Sequence, residues 1–275
     1  MSAWKLRKLR MPWNAPLFAV PTPQFYQKFY ILYNSIKTYI RASEIPQFLM
    51  ITTIIDVYPT LTMAIIELIF PRVKTDPATL ETLEKDWPTL SKGLTHPNPG
   101  LLHAFRGWVL TEDGKDVRER HHEFLLFEWN AANSFHDFVG SEQFAAFASS
   151  VRPLVTGPPT LQLFETSFSP KDAASAPVVQ IIRTQVSSLE DAAASLQVWK
   201  KMYSLLVSEG GGRACATFGT SLNLEETTIV GIIGWLNLED HNRASWDGDF
   251  LNYLNTLKSF GRVSSITVDI DAMEM

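Results

Sequence analysis

The sequence predicts an α+β fold in which one β-α-β-β-α-β unit is written twice and the two copies close on each other within a single chain. Three observations carry this. Apolar runs of strand length alternate with segments of helical period; the stretch FLLFEWNAANSFHDF at residues 124 to 138 returns in looser form as VGIIGWLNLEDHNRASW at residues 230 to 246; and a small-residue linker, SPKDAASAP, stands between the copies. With 275 residues and 45% hydrophobic composition, the chain is large enough to bury a substantial core.

The first copy reads in order. AIIELIF is a short apolar strand closed by Pro71. The segment after it places Asp76 as N-cap, Pro77 at the first helical position, and Leu80, Leu83, Trp87 and Leu90 at helical spacing. HPNPG breaks the chain, LLHAFRGWVL is a second strand, and TEDGKDVRER is a hairpin loop turning at Asp113-Gly114. HHEFLLFEW is the third strand, NAANSFHDFVGSEQFAAFASSV the second helix with Phe135, Phe138, Phe144 and Phe147 on its apolar side, and TLQLFETSF the last strand.

After the linker the order repeats. VVQIIRTQV, RACATFGTSL, TTIVGIIGWL and VSSITVDI read as strands, with LEDAAASLQVWKKMYSLLVSE and DHNRASWDGDFLNYLNTLKSF as the helices. Ile66 aligns with Ile181, Phe105 with Phe218 and Trp129 with Trp235, so each copy spans about one hundred residues. This βαββαβ order is the ferredoxin-like unit, a four-stranded antiparallel sheet with both helices on one face. Such a sheet leaves its other face bare, and two of them packed sheet to sheet form an intramolecular α/β barrel. The third strand fits that arrangement. Its alternation puts Phe124, Leu126 and Glu128 on one face and Leu125, Phe127 and Trp129 on the other, and both faces are largely apolar. The expected organisation is an N-terminal extension over 1–62, poorly ordered or not native, a first repeat over 63–169, a linker at 170–176 and a second, degenerate repeat over 177–275.

Charge and composition exclude several classes of function. The net charge is -5, and outside residues 1–62 the chain is more acidic still, because that segment holds seven basic residues (Lys5, Arg7, Lys8, Arg10, Lys28, Lys37, Arg41) against Glu44 and Asp56. A nucleic-acid partner is therefore not expected. Four prolines in MPWNAPLFAVPTPQ interrupt any secretory h-region. FLMITTIIDVYPTLTMAIIELIF is long enough to cross a bilayer, but Asp56, Pro59 and Glu67 make insertion costly, so no stable membrane span is expected. The expected location is cytoplasmic, with a mitochondrial one as the alternative, since the chain is free of acids up to Glu44. Cys215 is the one cysteine, which excludes an intramolecular disulfide, and within RACATF it reads as a small buried hydrophobe.

The strand ending in Trp, FLLFEW, followed by NAANSFHDF with its helical His and then SEQF, resembles the antibiotic-biosynthesis-monooxygenase (ABM) type of domain in the dimeric α/β-barrel superfamily; IIGW, His241 and DGDF are the second copy's version. The resemblance covers residues 63 to 270. It implies a protein acting on a small apolar, aromatic or polyketide-like molecule, as in secondary metabolism. The implied activity is that of a cofactor-independent monooxygenase or a related cyclase or dehydratase, with a non-catalytic ligand-binding or scaffold protein as the alternative. No cofactor is implied, and the assembly would be a monomer with an internal pseudo-dimer or a homodimer. Haem-degrading relatives combine the strand Trp and helical His with an Asn on the first strand. Here the first strands offer Glu67 and Gln180, which argues against haem degradation.

Glu67 and Glu128 are the notable candidates, being carboxylates inside apolar strands. A buried carboxylate without a partner costs several kcal/mol, so each must find a cation or donor, or carry a raised pKa and serve as acid or base. His103 and Arg106 are the available partners. Glu67, Glu128 and His136 are the catalytic candidates; Trp129, His103, Arg106 and Trp108 are the candidates for lining a pocket in the first repeat. An enzyme should show a closed apolar cavity beside one of the glutamates, a scaffold a filled barrel. His121, His122 and Glu123 do not make a metal site, because adjacent strand residues point to opposite faces and leave two ligands at most. The glycines at 210 to 212 lack the Gly-Lys-Ser/Thr ending of a phosphate loop.

Overall fold

The computed structural model describes residues 63–209, 214–246 and 248–275. The expectations for residues 1–62 and for the glycines at 210 to 212 lie outside the described residues. The first half runs β1 (Ala64–Phe70), α1 (Pro77–Leu90), α2 (Lys92–Thr95), β2 (Leu101–Glu112), β3 (Lys115–Asp116), β4 (Glu123–Trp129), α3 (Ala132–Val139), α4 (Glu142–Val151) and β5 (Thr160–Thr166). A short helix α5 (Lys171–Ala174) follows. The second half runs β6 (Val178–Val186), α6 (Leu189–Ser204), β7 (Ala214–Ser221), β8 (Thr228–Trp235), α7 (Leu238–Trp246), α8 (Gly248–Phe260) and β9 (Gly261–Ala272).

Local chemistry starts these helices where the sequence places polar caps. Asp76 accepts from the Thr79 N–H at 2.9 Å, which holds its carboxyl below the ordinary range, and Ser188 accepts from the Asp191 N–H at 2.9 Å. Each long second helix is in fact a pair. In the first half the break falls at Gly140, and Ser141 caps the new helix by accepting from the Phe144 N–H at 3.1 Å. The β2–β3 hairpin turns at Asp113 and Gly114, with φ of 49° and 78°, the left-handed pair that a two-residue turn requires.

The strands form one sheet in the order β3-β2-β4-β1-β5-β7-β8-β6-β9, and β9 pairs back onto β2. Eight strands thereby close a barrel, with β3 outside the closure. Two ferredoxin-like βαββαβ repeats thus make an intramolecular α/β barrel. Their sheets join edge to edge at two antiparallel seams, β5 with β7 from Phe164↔Ser221 to Thr166↔Gly219, and β2 with β9 from Phe105↔Ala272 to Glu112↔Ile266. Closure covers most of the strand edges, with the start of β7 overhanging the β5 seam.

Alternation sorts the core into three layers. Ile66, Leu68, Phe124 and Leu126 of the first half meet Ile181, Val230, Ile232 and Val268 of the second inside the barrel. Trp129, Phe127, Phe135 and Phe138 pack between the first half's strands and helices; Trp199, Met202, Phe218 and Trp235 do the same in the second. The alignment of Phe105 with Phe218 is therefore wrong, since Phe105 faces the lumen and Phe218 the helices. On the first strands, Ile65 pairs with Trp129 and Val178 with Trp235, so Ile66 corresponds to Val179 rather than Ile181. Cys215 is exposed rather than buried, because β7 pairs with β5 only over 219–221 and its start overhangs the seam.

One barrel end is plugged. Ala173 and Ala174 of α5 belong to the lumen core, and a Cβ on Gly234 would lie 2.3 Å from the Ala173 carbonyl oxygen, so only glycine admits the plug. The other end is open.

Candidate functional site

Strand register separates the two glutamates. Glu67 pairs with Phe127 and lies on the helix-facing side, whereas Glu128 shares its face with Phe124 and Leu126 inside the barrel. They do not share a pocket.

Glu67 is buried, and its partner is the indole N–H of Trp129, which donates to Oε2 at 3.0 Å. Around this pair Trp129 packs against Phe135 and Phe138, with ring centroids 5.9 and 5.6 Å apart. Desolvation dominates the single hydrogen bond and pushes the Glu67 carboxyl up to about 8. Near neutral pH it is mostly a neutral acid. His136 lies on α3 with its ring 5.1 Å from Phe135, and burial pulls its imidazole below the usual range against the opposing pull of Asp137.

Glu128 has a different partner. At the plugged end it accepts from the Ser169 hydroxyl at 2.7 Å, and Ser169 in turn accepts from the Lys171 N–H at 3.2 Å, so the carboxylate anchors the start of α5. His103 Nε2 stands 4.0 Å from the same carboxylate. Arg106 turns to the helix side, where it donates to Glu123 at 2.6 Å and to Glu84 at 2.6 Å and lies 4.0 Å over the Trp87 ring. Trp108 flanks that cluster, 5.6 Å from the guanidinium. Burial pushes Glu123 up, against the pull of Arg106. His103, Arg106 and Trp108 therefore belong to two separate polar clusters, neither of them at Glu67. Among the described residues no three His, Cys, Asp or Glu side chains converge to hold a metal ion, and no helix is long and apolar enough to cross a membrane. His122 Nδ1 pairs with Glu112 at 2.9 Å.

The second half repeats the tryptophan contact with a neutral acceptor. Trp235 Nε1 donates to Gln180 Oε1 at 3.2 Å, and Gln180 Nε2 donates to Ser265 at 3.0 Å. His241 packs edge-on against Trp235, centroids 5.8 Å apart, as Phe135 packs on Trp129. His241 thus corresponds to Phe135, and His136 sits one residue further along its helix.

A further feature escaped the sequence reading. The open end of the barrel holds a cleft of about 430 Å³ whose walls include Phe70, Val109, Gln162, Arg183, Ser264 and Ile266. Its signal was present in VVQIIRTQV, where alternation puts Arg183 on the same face as Val179 and Ile181.

No protein-family model matches the chain, and no curated protein matches it. Solved structures do match, over both halves. The chain has the dimeric α/β-barrel fold. Two structures named "putative monooxygenase" are similar to it: one from Lactobacillus acidophilus NCFM, with TM-score 0.52 and 12% identity over 76% of this chain and 95% of that one, and one from Fusobacterium nucleatum, with TM-score 0.51 and 12% identity over 76% and 94%. A third, named anthrone oxidase-like protein, has TM-score 0.53 and 9% identity over 76% and 93%. At such identities the likeness is one of fold.

Proposed function

We propose that this is an ABM-type small-molecule protein whose chemistry is a proton transfer by Glu67, as in a cofactor-independent monooxygenase acting on an apolar aromatic or polyketide-like substrate. One observation carries the reading. The packing of the strand Trp needs only a hydrogen-bond acceptor, which Gln180 supplies in the second half, yet the first half keeps a carboxyl whose burial pushes it up to about 8. A carboxylate of that basicity is matched to the proton of a phenol or of an activated carbon acid near neutral pH. Trp129 holds the carboxyl in place, and the resulting substrate anion is the electron donor to dioxygen. His136 is the second group of the proposed set. The names of the structural neighbours support monooxygenase chemistry as the first to test, with anthrone as the first probe.

The test is oxygen uptake with anthrone and related phenolic compounds, in the full chain and in Glu67→Gln. A catalytic base predicts a rate lower by about 10²–10⁴-fold in the variant while the fold persists. An unchanged rate removes Glu67 from the chemistry. A cleft lined by neither Glu67 nor Glu128, and a Glu128 committed to Ser169, favour a second reading, a scaffold of the same fold. That reading predicts no uptake and no thermal shift with any of these compounds.

A further inference from the structure

The open barrel end combines a charge and a surface that the proposed proton transfer does not use. Arg183 rises from β6 on the lumen face and is only partly exposed. Its Nη1 donates to the neutral Gln162 Oε1 at 3.3 Å, and its guanidinium lies 4.9 Å from the Phe70 ring centroid. No carboxylate among the described residues forms a salt bridge with it.

Of the three acids that line the cleft, two pair with other cations, and Asp113 keeps its charge beside a backbone donor. Glu112 pairs with Arg120 at 3.0 Å and with His122, Glu123 pairs with Arg106, and Asp113 accepts from the Ser265 N–H at 2.8 Å. Desolvation pulls Arg183 below its ordinary range, opposed by the nearby charges of Asp113 and Glu112 and reinforced by Arg262. A guanidinium has five N–H donors in a planar fork, and one long hydrogen bond leaves most of them directed to other acceptors.

We propose that this cleft binds a small aromatic carboxylate, its anionic group on the Arg183 fork and its ring against Phe70, Val109 and Ile266. The charge argument selects an anion, since Asp113 and Glu112 act on the guanidinium from a distance and none of the described carboxylates reaches its fork directly. The walls select an aromatic body, since Phe70, with Arg183 over its ring, lines the cleft together with the apolar Val109 and Ile266. A volume of about 430 Å³ suits one or two fused rings. This site lies on the lumen side of the sheet, so it stands or falls independently of Glu67.

Calorimetric titration of the full chain with 1-naphthoate and with its neutral isostere 1-naphthamide tests it. Naphthoate should bind at least about tenfold more tightly, the increment expected of a charge-assisted bidentate contact. Arg183→Met should abolish that preference and raise Tm, because an apolar side chain replaces a desolvated charge. If that variant fails to fold, Ser264→Phe fills the cleft without altering any charge and should abolish naphthoate binding. Equal affinity for acid and amide, or no naphthoate binding at 10 mM (about the weakest Kd that titration detects), overturns the proposal. So does retention of the preference in Arg183→Met.

Discussion

The two sheet–helix layers solve one packing problem with opposite chemistry. Each buries a strand-ending Trp whose indole N–H must be satisfied, and each satisfies it from the corresponding position of its first strand, with Glu67 in one case and Gln180 in the other. The difference lies in the neighbours. Glu67 pairs with Leu163 and Ile69 with Leu161 in the first half, whereas Gln180 pairs with Thr267 and Ile182 with Ser265 in the second. Ser265 accepts from the Gln180 amide at 3.0 Å, so the amide is satisfied at both ends. Around Glu67 the same places are leucines. In the second half Trp235, Gln180 and Ser265 form a connected chain of hydrogen bonds, whereas the first holds a lone acid in an apolar layer, which is the arrangement that raises a pKa.

The largest consequence is a pH dependence confined to the first half. Burial pushes the Glu67 carboxyl up to about 8 in the folded chain, against 4.5 for the same side chain in water, as in the unfolded chain. The folded state therefore holds this proton more tightly. The group's contribution is fully present below about pH 4.5, drains away as the pH rises through 8, and is flat above that. At about 1.36 kcal/mol per unit the total is on the order of 3–5 kcal/mol. Urea unfolding between pH 5 and pH 9 should show this decline of about that size in the wild type and lack it in Glu67→Gln. A Gln180→Glu variant should acquire a smaller decline, because Thr267 and Ser265 keep its surroundings polar. Identical pH profiles for wild type and Glu67→Gln would mean that Glu67 does not titrate abnormally.

Much of this architecture is legible in the sequence, and the part that is not has one cause. The strands, the repeat and the alternation of FLLFEW follow from period and punctuation, which are local. Register is not local. Deciding which glutamate faces the lumen and which the helices required knowing which residue of β1 faces which residue of β4, and a shift of one position reverses the face. Phe105 and Phe218 fail for the same reason. The odd chemistry of Glu67 is visible from its apolar neighbours in AIIELIF, but its Trp129 contact is 62 residues away in sequence and appears only with the fold. The roles of Ser169 and Arg183 depend on how the barrel closes and on which end the linker plugs.

A middle-sized effect exchanges the two chemistries. Glu67→Gln keeps the acceptor for Trp129 but adds an amide N–H₂ where Leu161 stands in place of Ser265. At pH 5 the neutral wild-type acid places one O–H donor there and the amide places two N–H donors, so the variant should be less stable by about 1 kcal/mol. Adding Leu161→Ser copies the second half and should recover part of the loss. Additive penalties in the double variant, measured by urea unfolding, would show that the network cannot be transplanted.

An effect of similar size concerns the barrel plug, where the halves again differ. The position that holds Glu128 in the first half is Gly234 in the second; the glycine makes room for α5 and the carboxylate ties down its start. Ser169→Ala removes the hydroxyl donor at 2.7 Å and leaves His103, at 4.0 Å, as the nearest cation once protonated. The loss should be about 1–2 kcal/mol, because one charge-assisted hydrogen bond disappears while the carboxylate can still turn toward the imidazole. That turn gives the prediction its distinguishing feature: the coupling between Glu128 and His103, read from urea unfolding of Glu128→Gln, His103→Gln and the double variant, should be larger in the Ser169→Ala background than in wild type. An unchanged coupling would place the whole cost in the plug itself, with α5 loosened and Glu128 unmoved.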